Sequence, residues 1–291
     1  MRHYWKRHQP RTNLPVFGDV LNEVSFVVQP ERRSSLRVLL SPLFRFMARG
    51  LPWKIFLDDC RHVLFPKPYF FSFVYISSSG EEYGVNEKFG PYREGDFFYL
   101  NINSWMVANG INQKEGNLII FANRGRPDRW QSSPGNVEIR YTNQKYIAGF
   151  RTGFFARPLN EAGKIHLGYR GVNPGVVCNA ARVSGILLIN HSSNPLYSTS
   201  VSPVVRLYRP DGQYLESEFG SISPHSFVEK SIPQLFSGWK EFLRPCGGRG
   251  FTIASLEGFT LASMHTVRDE RGNLVAIEHS RPGPANVIKF R

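Results

Sequence analysis

The chain has 291 residues, 41% of them apolar and 14% aromatic, and a net charge of +13. Such length and apolar content suit a folded protein with one large core or two smaller ones, and exclude a disordered chain. No run of 18 or more apolar residues occurs, so no membrane-spanning helix is expected.

The charge is uneven. Residues 1–70 carry 12 Lys/Arg against 5 Asp/Glu. A basic start of this kind is compatible with an acidic partner: nucleic acid, an anionic membrane surface or an acidic protein. The beginning, MRHYWKRHQPRTNLP, lacks the apolar run and small-residue site of a secretory leader. Cys60, Cys178 and Cys246 are odd in number and far apart, which disfavours a disulfide framework or a CxxC zinc site. A reduced, cytoplasmic setting is expected.

Residues 1–68 read as a basic N-terminal arm with an accessory segment. Residues 1–20 look extended and aperiodic, and SFVVQ (25–29) reads as a strand. Leu36, Leu39, Leu40, Leu43, Phe44 and Met47 follow helical spacing, interrupted by Pro42. From residue 69 the pattern is strongly β. YFFSFVYIS (69–77), FFYLNI (97–102), GNLIIFAN (116–123), NVEIRYT (136–142) and KYIAGFRT (145–152) are short and rich in aromatic and β-branched residues. Residues 156–183 are poor in clear strands and mark a boundary. SGILLIN (184–190), PVVRLYR (203–209), SFVEKSI (226–232), GFTIASL (250–256), FTLASMHTV (259–267) and LVAIEHS (274–280) follow. The fold class is all-β: antiparallel sandwich-like units in tandem, over residues 69–155 and 184–291, after the N-terminal region.

The two β-rich stretches share a pattern. Phe89-Gly90 and Phe97 match Phe219-Gly220 and Phe227 at a constant offset, and IIFAN (119–123) then aligns with FTIAS (251–255). The expectation is an internal duplication.

Residues 184–283 carry ILLINHSSNPLYSTSVSPVVRLYRPDG, ISPHSFVEKSIPQLF and GFTIASLEGFTLASMHTVRD. In their order of strands, polar turns and a closing His-Thr with a nearby Asp, these resemble the soluble sensory rhodopsin transducer family. The resemblance covers about a third of the chain. It implies a small β-sandwich that assembles into oligomers and serves signalling or binding rather than catalysis.

No HExxH, GxSxG, P-loop or dinucleotide fingerprint is present. Histidines gather in the second half, so a metal or ligand site would draw on His191, His225, His265, Asp269 and His279 from separate strands and loops. Within the hairpin ASMHTVRDERGNLVAIEHSRPG (262–283), matching the apolar faces favours an odd loop, Arg271-Gly272-Asn273. His265 then opposes His279. A two-residue loop would instead oppose His265 to Glu278 and split the histidines. Arg124, Arg126, Arg129 and Trp130 form a candidate anion- or base-binding loop. Cys60 in DDCRH reads as structural, because Asp58 and Asp59 oppose thiolate formation.

The leading functional reading is a cytoplasmic binding or signalling protein, oligomeric and without a recognisable catalytic motif or cofactor. The alternatives are an enzyme, metal-dependent or not, with a His-rich site, and a peripheral protein that uses its basic N-terminal region on nucleic acid or anionic lipid.

Overall fold

Strands whose side chains point alternately to either face build four antiparallel sheets. They were traced in a computed structural model that describes residues 11–29, 68–84, 89–112, 115–123, 134–153, 169–192, 197–259 and 261–282. The helical stripe over 34–49, Cys60 and the loop bearing Arg124, Arg126, Arg129 and Trp130 lie outside the described residues.

The first unit contains β1 (Arg11–Val16), β2 (Leu21–Val27), β3 (Tyr69–Ser77), β4 (Glu82–Gly84), β5 (Phe89–Tyr92), β6 (Phe97–Asn101), β7 (Gly116–Asn123), β8 (Asn136–Thr142) and β9 (Ile147–Gly153). One sheet runs β1-β7-β3-β4 with β5 also on β3, and the other runs β6-β2-β8-β9. Leu14, Phe71, Phe73, Leu118 and Ile120 from the first sheet meet Val24, Phe26, Phe98, Ile139 and Tyr141 from the second. After β6, helix α1 (Ile102–Ala108) begins where the Asn101 side chain accepts the Ser104 backbone N–H, and it buries Ile102, Trp105 and Met106.

The second unit repeats this plan with β10 (Tyr169–Val177), β11 (Arg182–Ile189), β12 (Val204–Tyr208), β13 (Tyr214–Glu218), β14 (Phe227–Ser231), β15 (Arg249–Leu256), β16 (Ala262–Asp269), β17 (Leu274–His279) and the short β18 (Arg281–Pro282). Its sheets are β13-β12-β15-β10-β18 and β14-β11-β16-β17. Helix α2 (Ile232–Leu235) follows β14 as α1 follows β6, with a Ser231–Gln234 capping box. Helix α3 (Trp239–Leu243) and a 3-10 turn over Arg244–Cys246 lead into β15. Strand for strand, β4-β3-β7-β1 corresponds to β13-β12-β15-β10, and β6-β2-β8-β9 to β14-β11-β16-β17. The duplication therefore appears as one topology used twice.

Two local expectations are corrected. Residues 11–16 are a core strand rather than part of an extended arm: β1 pairs with β7 along its length, and Leu14 and Val16 alternate into the core. The stretch 156–183 contains β10, paired with β15 and bent by an irregularity between Asn173 and Val176 that hides its period.

The units share apolar surface. Ile186 and Leu188 of β11 face the second unit's own core, while Leu187 and Ile189 face the first unit's core. Met264, Leu274, Ile277 and Phe227 join them there. The sheet β14-β11-β16-β17 is thus buried on both faces. Arg268 fastens this seam: its guanidinium donates to Glu229 and Asp19 and lies over the Phe17 ring.

Candidate functional site

The five residues singled out in the second unit fall into four places. His191 and His225 both lie just past the end of the β11–β14 ladder, whose last pair is Ile189 with Phe227, and Asn190 N–H donates to Ser226 O beyond it. Both are buried against the first unit, where His191 Nδ1 hydrogen-bonds Asn13 Nδ2 and the His225 carbonyl accepts Asn117 Nδ2. His225 has φ 59°, the single positive-φ residue other than glycine among the described residues, with its ring edge-on to Tyr197. Asn190 pins the loops beside it by donating to the Thr199, Ile222 and Ser223 carbonyls.

His265 is elsewhere, inside the second sandwich. Its Nε2 is 2.9 Å from Ser184 Oγ, within reach of a nucleophile–base pair. Ser184 is fully buried, however, and its Oγ also accepts the Val177 N–H, so the contact is a satisfied core pair. Burial holds the His265 imidazole below its ordinary pKa, with the Glu278 charge opposing that shift.

The hairpin corrects the expected pairing of His265 with His279. Gly272 N–H donates to Asp269 O and Asp269 N–H to Asn273 O, which leaves the three-residue loop Glu270-Arg271-Gly272. That loop is odd. A register shift then lies between Val267 and Arg268: Arg268 pairs Leu274 while Val267 pairs Ala276, so Val275 is the extra residue. The bulge reverses the parity, and His265 opposes Glu278 while His279 opposes Met264. The physical reason is burial. Leu274 and Ile277 both enter the core shared with the first unit, and a regular strand would send residues three apart to opposite faces. His279 is exposed, and its Nδ1 contacts the Ser280 carbonyl. Asp269 is a turn anchor: Asn273 Nδ2, then the Asn273 and Arg271 backbone N–H groups, hold its carboxyl below the usual range.

Among the described residues, no group of three or more His, Cys, Asp or Glu is placed to hold a metal ion. Cys178 and Cys246 are free thiols, and burial pushes the Cys178 thiol up to about 11.

Pattern reading missed a different feature. Seven large apolar side chains are exposed among the described residues, and five of them, Leu21, Val27, Phe97, Tyr99 and Ile147, lie on the outward face of β6-β2-β8-β9. These five are gathered on one sheet face rather than scattered singly. Between the apolar side chains stand Glu23, Glu138, Arg140 and Arg151. Tyr99 Oη donates to Glu23, while Arg140 and Arg151 both donate to Glu138 and hold its carboxyl low.

The duplication sharpens the contrast. Phe97 and Phe227 occupy the same place in the two units, each opening the edge strand before a helix. Phe227 is 7% exposed and packs edge-on against Phe17 of the first unit, whereas Phe97 is 62% exposed. The face that is covered in the second unit is open in the first.

An aromatic row crosses the outward side of the second unit's other sheet, but its rings cover one another. Tyr208 and Phe251 stack at 4.8 Å and 4°, and the Arg206 guanidinium lies over Tyr214.

No family model matches the chain, and no curated protein matches it. Among solved structures it is similar to a crystal structure of Bacteroides uniformis beta-glucuronidase, with 7% sequence identity and a TM-score of 0.18. The similarity covers 95% of this chain and 26% of that one, so the chain spans about a quarter of that protein's length. Likeness at that level bears on neither fold nor activity.

Proposed function

We propose that the protein is an interaction protein, working in a reducing, cytoplasmic setting and docking a protein partner through the outward face of β6-β2-β8-β9. The observation that carries this reading is the exposure of Phe97 where its counterpart Phe227 is buried in an inter-unit contact. A face that serves as a docking surface in one copy of the repeat is suited to the same use in the other. Free Cys178 and Cys246 fit a reducing compartment. The resemblance of residues 184–283 to the sensory rhodopsin transducers, a family of assembling β-sandwiches, favours a signalling role for the contact.

The test is site-specific photocrosslinking in cells, with benzoylphenylalanine replacing Phe97 and, separately, the exposed Tyr214 of the second unit. A discrete polypeptide adduct from position 97 and none from position 214 is the expected result. Absence of any adduct at 97 would overturn the proposal.

A further inference from the structure

Charge identifies the occupant of this face. The chain carries +13, so two copies repel across most orientations. An acidic partner would call for a basic surface. The outward face of β6-β2-β8-β9 instead carries two glutamates and two arginines and has no net charge. It is a place where copies can meet without that repulsion. We infer that the occupant is a second copy of this chain, seated face to face about a two-fold axis; this rests on the docking face proposed above.

The register supplies the complementarity. Across the sheet, Tyr99, Ser25, Glu138 and Arg151 form one row, and Asn101, Glu23, Arg140 and Gly149 the next. A two-fold axis parallel to the strands, between β2 and β8, lays each copy's β2 on the other's β8. Glu23 then meets Arg140 of the second copy, and Tyr99 meets its Arg151, a cation over a ring. Phe97 meets the row that ends in Gly153, where no side chain competes for the space. An interface of this kind is isologous and closes as a dimer. The existing Arg140–Glu138 pair is solvent-exposed, and exchanging it for an intermolecular pair costs little.

A head-to-tail arrangement has weaker chemistry. It would dock this face on the end of the second unit, as Phe227 docks on Phe17. There the turn after β10 presents exposed Asn179, Ala180 and Ala181, where the first unit offers Phe17 and Asp19. Both the aromatic anchor and the carboxylate are missing.

Four strands about 4.8 Å apart and about 20 Å long give a footprint of roughly 400 Å² per copy. This falls below the roughly 800 Å² per partner of a standard stable interface, so the dimer is reversible and concentration-dependent.

The experiment is sedimentation velocity on the purified full chain over a concentration series, for wild type, Glu23→Arg, Arg140→Glu and the double reversal. Wild type should move from monomer to dimer. Each single reversal should weaken the dimer about tenfold, and the double should recover most of the loss. A wild type that stays monomeric, or a dimer indifferent to all three variants, overturns the inference. Open-ended polymers would overturn it in favour of head-to-tail docking. A monomeric chain whose position-97 crosslink holds a different polypeptide would leave the docking face standing and remove only the second copy. No crosslink at 97 would remove both.

Discussion

His265 and Gly272 show how single residues are set by burial and backbone. Buried His265 keeps a folded-state pKa below that of the unfolded chain. As pH falls through about 6.5, the unfolded state takes up a proton that the folded state refuses, and stability is lost. His265→Gln should flatten this part of the stability–pH profile, read from urea midpoints between neutral and mildly acid pH. A parallel profile in the variant would assign the slope to other histidines. The glycines differ in kind. Gly272 has φ 82° with open space around it, so Gly272→Ala should cost about 1 kcal/mol through backbone strain alone. Gly248 has φ 76°, and an added Cβ would lie 2.2 Å from the Cys178 carbonyl oxygen. Gly248→Ala should therefore cost about 3 kcal/mol or more, measured by the same denaturation.

At the scale of strands, legibility followed the regularity of the period. YFFSFVYIS, GNLIIFAN and NVEIRYT were readable because aromatic and β-branched runs end at turn residues, and they fold as β3, β7 and β8 over those same residues. β1 carries a proline and polar residues, β10 bends at an irregularity, and β13 alternates among mostly charged and polar residues; none gives a clear period. Apolar parity favours the odd loop Arg271-Gly272-Asn273 with His265 opposite His279; the loop is the odd Glu270-Arg271-Gly272, but the register is the His265–Glu278 pairing of the even alternative. The bulge at Val275 was not legible, because it follows from a requirement of the neighbouring unit, that Leu274 and Ile277 share a face. Side chains also read alike where their surroundings differ. Phe227→Ala should cost about 3 kcal/mol through a cavity at the seam. Phe97→Ala should change stability by less than about 0.5 kcal/mol. Equal losses in chemical denaturation would contradict the assignment of Phe97 to an open face.

For the whole molecule, the repeat was visible in sequence as a constant offset between Phe-Gly pairs, and it returns as one sheet topology used twice. The histidine cluster was only partly visible. His191 and His225 both lie just past the end of the β11–β14 ladder, but His265 belongs to another interior and His279 to the surface. What sequence could not show is which face of each sheet the other unit covers, since that depends on packing between residues far apart in the chain. This asymmetry between equivalent faces is the basis of the functional account. Sedimentation of wild type beside a Phe97→Ser/Tyr99→Ser double variant tests it most directly. The account predicts a reversible wild-type dimer and a variant that stays monomeric while keeping its β-sheet circular dichroism and denaturation midpoint. A variant that dimerises as wild type does would contradict it.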